Sequence, residues 1–195
     1  METKLLNGNN KEAIAEASKI LQDGGLVAFP TETVYGLGAD ALNADAAAKI
    51  YAAKGRPSDN PLIVHIADTD AVEKLADLET MNRTHPDMVK KAYMLMEAFW
   101  PGPLTIIFPK LAIVPDGTTG GLPTVAIRMP SHPIAQELIR TSGVSIAAPS
   151  ANTSGRPSPT TAQHVWEDMD GRIEMILEGG AVGIGIESTI VDMTG

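Results

Sequence analysis

The chain has 195 residues, of which 44% are hydrophobic, 4% are aromatic and none is cysteine, and its formal net charge is −9 at pH 7. The length and apolar content predict one domain with a buried core, and the lack of cysteine excludes disulfides, thiolate nucleophiles and cysteine-ligated metal centres. The acidic balance and the scarcity of aromatic residues disfavour a protein whose main role is to grip a nucleic-acid backbone or to stack single strands.

The sequence carries no sign of a membrane segment or a secretion signal. No apolar run approaches the roughly 20 residues of a membrane-spanning helix. The first residues, Met1 to Lys4, lack the apolar core of a signal peptide. We therefore expect a cytoplasmic protein without membrane contact.

Apolar periodicity and capping residues predict strands and helices that alternate along the chain. The first half begins with a helix at 11–22 capped by Asn9 or Asn10, a strand at 26–29 closed by Pro30, and a helix capped by Asn43 and running through residue 53. A strand at 62–66 and a helix opened by Asp68 or Thr69 towards residue 76 follow. The last element of this half is a helix at 87–99, with Val89, Ala92, Met96 and Phe99 on one side. In the second half they are strands at 104–108 and 125–127, a helix at 133–141 capped by Ser131, a strand at 144–147, a helix capped by Thr160 or Thr161 and ending near residue 169, and strands at 175–177 and 189–191.

This alternation predicts a single α/β domain over residues 1–195, with helices covering a sheet. The Gly- and Thr-rich residues 118–123 are expected to form the most mobile loop. Polar segments follow several of the predicted strands. Because ligands of open α/β sheets collect at the carboxyl ends of strands, we expect the functional site among these segments.

The most informative of these segments is residues 54–62, KGRPSDNPL. Pro57 and Pro61 push the residues before them towards extended backbone, so that the loop is expected to be stiff. A stiff loop that presents Lys54 and Arg56 together suggests an anion site. A solvated connector that happens to be basic explains the same residues equally well.

Other polar positions allow both a functional and a structural interpretation. Thr31, Glu32 and Thr33 follow the first predicted strand, where they could line a pocket or cap backbone groups of a turn. Arg128 ends a buried strand and therefore needs a partner, which could be a substrate carboxylate or an internal acid such as Glu32. His65 interrupts an apolar strand. It could be a histidine of the core or a residue that faces a site.

Two nucleotide-binding patterns find little support. Residues 36–41, GLGADA, fit G-x-G-x-x-A, but Gly36 comes seven positions after the end of the predicted strand, whereas that fingerprint needs a tight strand–turn–helix. The Walker pattern G-x-x-x-x-G-K-[ST] does not occur. Dinucleotide binding and a P-loop NTPase are therefore disfavoured.

Six blocks taken together resemble the YrdC-like family, the L-threonylcarbamoyladenylate synthases. They are PTETVYGLGADA, KGRPSDNPLIVHI, WPGPLT, VAIRMP, APSANTSG and ESTIVD, and they stand in the family's order between about residues 27 and 192. The resemblance implies an α/β fold in which a twisted mixed parallel/antiparallel sheet, flanked by helices, surrounds a basic cavity. It also implies a nucleotidyltransferase that condenses L-threonine, bicarbonate or CO2 and ATP to threonylcarbamoyl-AMP and pyrophosphate, for N6-threonylcarbamoyladenosine at position 37 of tRNA.

The resemblance assigns roles to individual residues. The catalytic residues that it implies are Lys54 and Arg56, which would face bicarbonate or the phosphates. Threonine contacts are implied for Thr33, His65, Arg128, Ala148 and Ser188, with Ala148 offering only its backbone. ATP contacts are implied for Arg56, Asn60, Thr124, Ser150, Asn152 and Ser158. We expect Mg2+ to arrive with ATP, and we expect no metal site made by the protein alone.

The resemblance also bears on partners and on the end of the chain. A tRNA threonylcarbamoyl transferase is the expected downstream partner, and a weak contact with tRNA stays open. Family members continue beyond the ESTIVD strand, so the domain is expected to lack its C-terminal segment. Two alternatives remain at this point: an RNA-binding module, and a paralogue of the same fold that uses another acceptor than threonine.

Overall fold

The computed structural model describes residues 2–194, which form a nine-stranded mixed sheet. The strands are β1 (Lys4–Asn7), β2 (Val27–Pro30), β3 (Tyr35–Asp40), β4 (Ile63–His65), β5 (Leu104–Pro109), β6 (Thr124–Arg128), β7 (Ile146–Ala147), β8 (Met175–Glu178) and β9 (Thr189–Asp192). Their order across the sheet is β1-β8-β2-β3-β7-β4-β6-β5-β9. Four neighbouring pairs run parallel, including β4 with β6, and four run antiparallel, including β4 with β7. The predicted mixed α/β sheet is confirmed.

Seven α-helices and one 3-10 helix accompany the sheet in this part of the chain. They are α1 (Lys11–Gln22), α2 (Ala44–Lys54), the 3-10 helix Thr69–Lys74, α3 (Leu78–Thr84), α4 (Pro86–Phe99), α5 (Asp116–Thr119), α6 (Pro133–Ser142) and α7 (Ala162–Met169). Side chains of Asn10, Asn43, Asp68 and Thr161 cap four of them, as their sequence positions predict. Among residues 2–194, no helix combines the length and the apolarity needed to cross a bilayer.

Side-chain alternation divides the core between the two faces of the sheet. Val27 and Phe29 of β2 pack in a cluster that includes residues of α1 and α6. Ala28, between them, belongs to the larger cluster, which includes residues of α2, α4 and α7. Because successive residues of a strand point to opposite faces, one strand supplies both layers. The sheet is therefore covered by helices on both sides.

Several local predictions were wrong or incomplete. The sequence interpretation missed β1, β3 and α3. The expected mobile loop at 118–123 begins inside α5, where Thr118 is fully buried and its hydroxyl donates to the Ala41 carbonyl. Phe99 is 56% exposed rather than on the packed side of α4. Helix α6 is capped by the His132 side chain instead of Ser131.

The G-x-G-x-x-A match is explained by β3. Gly36 and Gly38 lie inside this strand, which pairs antiparallel with β2, and the next helix begins only at Ala44. No strand–turn–helix is formed around these glycines. The structure therefore gives this segment a packing role rather than that of a phosphate-binding turn.

Gly38 allows a test of that packing role. A Cβ atom added there would lie 2.7 Å from Cγ2 of Ile146 and 2.7 Å from Cε1 of Phe29, both of which are fully buried. We expect Gly38→Ala to lower the free energy of unfolding by about 1–3 kcal/mol, because overpacking forces neighbours to move. Urea unfolding measures the loss. Gly183→Ala is the control, since its Cβ would meet nothing within 4 Å, and equal stabilities of both variants would contradict the prediction.

Candidate functional site

One cavity opens where the carboxyl ends of β4 and β6 meet the segment that follows β2. These two strands are parallel, and His65 pairs with Arg128 at their shared end. The cavity has a volume of about 640 Å³ counting the solvent at its open mouth. Its lining consists of Thr31, Thr33, Val34, Gly36, Arg56, Pro61, Ile63, His65, Arg128, Ala148, Pro149, Ser150, Glu187, Ser188 and Ile190.

Arg128 is a buried guanidinium held by the segment after β2. Its Nη1 donates to Oγ1 of Thr33 over 3.0 Å, and its Nη2 donates to the carboxylate of Glu32. The Nε of Arg128 has no hydrogen-bond partner among the described residues. Burial works against ionisation of Glu32, but the charge and hydrogen bond of Arg128 prevail and lower the pKa of this carboxyl. The internal partner that the sequence suggested for Arg128 is confirmed, and the guanidinium still lines the cavity.

The turn after β2 serves the backbone and the cavity at once. The Thr31 hydroxyl donates to the Val34 carbonyl over 2.7 Å and accepts from the Thr33 amide over 3.2 Å. Both threonines also line the cavity. The two interpretations of this segment are therefore compatible, because the same hydroxyls that close the turn place Thr33 against Arg128.

His65 is buried and faces the cavity as a neutral imidazole. Its Nδ1 lies 3.0 Å from the Ile63 carbonyl, which can only accept, so that Nδ1 carries the proton and Nε2 is left as an acceptor. Burial, and next the charge of Arg128, lower the pKa of His65 to about 3. The ring also packs edge-on against Phe29. The structure thus makes His65 a hydrogen-bond acceptor in the cavity wall.

Arg56 also lines the cavity, where the loop after α2 folds back on itself. Its Nε and Nη2 donate to the carbonyls of Asn60 and Pro61 over 3.4 and 3.2 Å. The loop starts from Gly55, which has a φ of 62° and ends α2 in the left-handed region. The predicted stiff loop is therefore a built turn that presents one guanidinium to the cavity.

Lys54 differs from its prediction as a loop residue, since it is the last residue of α2 and is only 3% exposed. Its ammonium donates to the backbone carbonyls of Ser150 and Asn152. Burial, and next the charge of Arg56, lower the pKa of Lys54 to about 8. Lys54 therefore lies behind the lining, where it holds the segment that carries Ser150. Its contact with a substrate stays a prediction.

The segment at residues 182–188 contributes Glu187 and Ser188 to the cavity lining and is hydrogen-bonded to several other segments. The amide of Gly185 donates to the Thr33 carbonyl over 2.9 Å, and that of Val182 donates to Thr160 over 2.9 Å. Glu187 accepts from the Ser158 hydroxyl over 2.9 Å, and Ser188 shares a 2.7 Å hydrogen bond with Thr105. Glu187 brings a carboxylate into a cavity that otherwise carries two guanidinium groups.

The structure brings together seven of the predicted site residues in the cavity lining, namely Thr33, Arg56, His65, Arg128, Ala148, Ser150 and Ser188. Five others lie outside the lining. Asn60 is exposed, Thr124 opens β6, Lys54 and Asn152 are buried beneath the wall, and the Ser158 hydroxyl is bonded to Glu187. The roles that the resemblance implies for these residues remain predictions.

Sequence reasoning missed Glu187, Pro61, Ile63 and Ile190 as lining residues. Pro61 and Ile63 adjoin motif positions, so their place could have been inferred from Arg56 and His65. Glu187 carried no such signal, because its role depends on a segment that returns from the opposite half of the sheet. Glu187 is the first residue of the ESTIVD block, where the sequence alone indicates only a turn.

Comparison with known proteins gives matches over most of the chain. The family model Sua5_yciO_yrdC, described as telomere recombination, matches residues 19–195. A protein of Bacillus subtilis (strain 168) named threonylcarbamoyl-AMP synthase is 57% identical over 183 residues, which are 93% of this chain and 50% of that protein. A protein of Pyrococcus abyssi (strain GE5 / Orsay) with the same name is 53% identical over 191 residues, which are 95% of this chain and 54% of that protein. The chain thus spans about half the length of these two relatives.

A solved structure is similar over the whole chain. The crystal structure of Pyrococcus abyssi Sua5 complexed with L-threonine superposes with a TM-score of 0.91 at 50% sequence identity. The match covers 100% of this chain and 55% of that one.

Proposed function

Because this chain belongs to the Sua5/YciO/YrdC family, we propose that it is an L-threonylcarbamoyladenylate synthase, a nucleotidyltransferase that acts on L-threonine, bicarbonate or CO2 and ATP. The single observation that carries this proposal is the cavity, where two guanidinium groups, Arg56 and Arg128, stand among hydroxyls and a neutral imidazole. Such a cavity suits a substrate pair that brings several negative charges and one small polar amino acid.

L-Threonine is proposed to bind on the Arg128 side. Arg128 lines the cavity and would receive the carboxylate through the part of its guanidinium that faces it. The hydroxyls of Thr33 and Ser188 and the Nε2 acceptor of His65 supply hydrogen bonds to the amine and the side chain. Ala148 lies in the wall with almost no exposed surface and can offer only backbone.

ATP is proposed to bind on the Arg56 side. Arg56 and Ser150 line this part of the cavity. Asn60, Thr124, Asn152 and Ser158 are the further nucleotide contacts that the resemblance implies. Lys54 contributes a positive charge just behind Ser150, where it favours bound phosphate even without touching it.

The chemistry follows from these positions. The threonine ammonium loses a proton to water, and the free amine adds to CO2 with release of a second proton, which gives a carbamate. A carbamate oxygen then bonds to the α-phosphorus of ATP while the bond to pyrophosphate breaks. Several anionic groups crowd together in this step, so that Lys54, Arg56 and Arg128 are needed to offset their repulsion. Neither His65 nor Glu32 suits a general base near pH 7, since both have lowered pKa values. We assign positioning and charge, rather than proton transfer, to these side chains.

Magnesium fits this site as a companion of ATP. No cluster of three or more His, Asp or Glu side chains that could hold a metal ion is formed within residues 2–194. Mg2+ needs no such cluster, because it usually keeps waters and takes phosphate oxygens with one or two carboxylates. Among the described lining residues, Glu187 is the carboxylate that could supply such a ligand. When bound, the ion would neutralise phosphate charge.

The deciding experiment is ATP-dependent release of pyrophosphate with threonine and bicarbonate omitted in turn. We expect release to require both, because the carbamate is the nucleophile. Release that ignores threonine would contradict the synthase. Dependence on a different amino acid would identify a paralogue with another acceptor. RNA binding that is sensitive to salt and unaffected by threonine would favour a binding module instead.

The cytoplasmic location and the tRNA transferase partner remain predictions.

A further inference from the structure

Residues 152–158 carry two of the predicted nucleotide contacts, Asn152 and Ser158, without the support of a strand. The segment consists of turns and bends between β7 and α7. The Asn152 amide donates to the carbonyls of Thr153 and Arg156 over 2.9 and 2.8 Å, which closes the turn internally. Backbone hydrogen bonds tie the segment to its neighbours, since the Ser154 amide donates to the Lys54 carbonyl and the Tyr35 amide donates to the Pro159 carbonyl, both over 2.9 Å.

A side chain outside the segment adds a further anchor, the carboxylate of Asp168 on the buried face of α7. One oxygen accepts from both the amide and the hydroxyl of Thr153, over 2.9 and 3.1 Å, and the other accepts from the guanidinium of Arg156. The side chain of Asp168 is 6% exposed, whereas that of Arg156 is 58% exposed. The buried end of this pair is therefore the carboxylate, and its partners are all in the turn.

The surroundings of Asp168 show that packing alone does not explain why a carboxylate stands at this position. The other buried residues of α7, Ala162, Val165 and Met169, are apolar. A buried carboxylate loses hydration that an apolar side chain of similar size would not lose, so stability alone gives little reason to place one there. Its charge also acts on Lys54, whose pKa it raises against the lowering by burial and by Arg56. Asp168 therefore acts on the turn that contains Thr153 and Arg156 and also on the ammonium of Lys54, which holds the carbonyls of Ser150 and Asn152.

We propose that Asp168 is a positioning residue for the nucleotide half of the cavity: through Thr153 and Arg156 it sets the turn that carries Asn152 and Ser158. The proposal rests on the proposed synthase function for the identity of its ligand, ATP. Asp168 lies outside the cavity lining. Its loss should therefore affect nucleotide affinity while threonine affinity is retained.

Calorimetric titrations of the Asp168→Asn variant with ATP and, separately, with L-threonine test this. We expect the Kd for ATP to rise on the order of tenfold, since displacement of contact groups by a fraction of an ångström weakens binding. The Kd for threonine should stay at the wild-type value. Asp170→Asn is the matched control, because this neighbouring carboxylate is exposed and neutralising it changes the net charge equally. An unchanged Kd for ATP, or an equal loss for both ligands, would overturn the proposal.

A second variant keeps the test informative if Asp168→Asn folds poorly. Thr153→Val keeps the carboxylate and removes only the hydroxyl bond, and we expect it to raise the Kd for ATP in the same direction by a smaller factor. Combined with Asp168→Asn it should add less than its separate effect, since both act through one contact. Full additivity would contradict the route through Thr153. If the wild type binds ATP yet releases no pyrophosphate with threonine, the synthase function fails while the Asp168 inference is still decided by the ATP titration.

Discussion

Replacing Arg128 with methionine is expected to lower threonine-dependent pyrophosphate release roughly a hundredfold or more. The substitution removes the guanidinium that would receive the threonine carboxylate, and it also leaves Glu32 without its ion-pair partner. Because Arg128 is 4% exposed, the lost pair should also lower the free energy of unfolding by about 3 kcal/mol. Steady-state kinetics and urea unfolding measure the two losses separately.

The double variant Arg128→Met/Glu32→Gln separates the function of Arg128 from its structural role. Without a carboxylate to leave unpaired, this variant should regain much of the stability but none of the activity. Recovery of activity together with stability would show that Arg128 acts only on the fold.

A pH series adds a check on the ion pair. Folding lowers the pKa of Glu32 below 4.5, so the stabilising effect of this carboxylate is present above that pH and is lost as the pH falls through the folded value. Both variants should lack this contribution.

Replacing Lys54 with methionine is expected to reduce turnover by a similar factor, roughly a hundredfold, and to weaken ATP binding. It removes a positive charge behind Ser150 and leaves the carbonyls of Ser150 and Asn152 without their donor. The unfolding free energy should fall by about 1–3 kcal/mol, which is the usual effect of losing hydrogen bonds to a charged group. Arg56→Ala is the matched comparison. It should lose activity with little loss of stability, because Arg56 bonds only loop carbonyls near the surface.

The lowered pKa of Lys54 gives this prediction a signature in pH. Burial, and next Arg56, lower this pKa from 10.5 to about 8 in the folded protein. Between these values the unfolded chain binds the proton more readily, so the contribution of Lys54 to stability rises with pH. ATP affinity should fall over the same range, because the charge that favours phosphate is lost. Lys54→Met should show neither trend, and an ATP affinity of the wild type that is constant from pH 7 to pH 10 would contradict the role of its charge.

The elements that sequence patterns predicted well are those with local signals. Asn10 and Asn43 cap their helices through side-chain bonds to residues two or three positions away, and such contacts require no knowledge of the fold. Strand β3 was missed because its sequence, YGLGAD, lacks polar alternation and carries two glycines. It is stable as a strand because β2 and β7 flank it and Gly38 lets Phe29 and Ile146 approach.

The chemical character of the site was also readable in advance. Arg128 at the end of a buried strand predicted a carboxylate partner, and Glu32 is that partner. His65 was ambiguous, because an imidazole in an apolar strand suits a core and a site equally. The register that sets His65 beside Arg128 resolved the ambiguity in favour of the cavity wall.

By itself, the sequence determined the class of fold, several helix caps and the kinds of groups available for anion and amino-acid binding, since these depend on residue type and short spacing. Only the tertiary structure decided which groups meet. Lys54 reaches carbonyls 96 and 98 residues away, and Glu187 accepts a hydrogen bond from Ser158, 29 residues earlier in the chain. These contacts follow from the order of strands in the sheet, where many neighbouring strands are far apart in the sequence. Local periodicity cannot reveal such an order, because it reports only on residues that are close together in the chain.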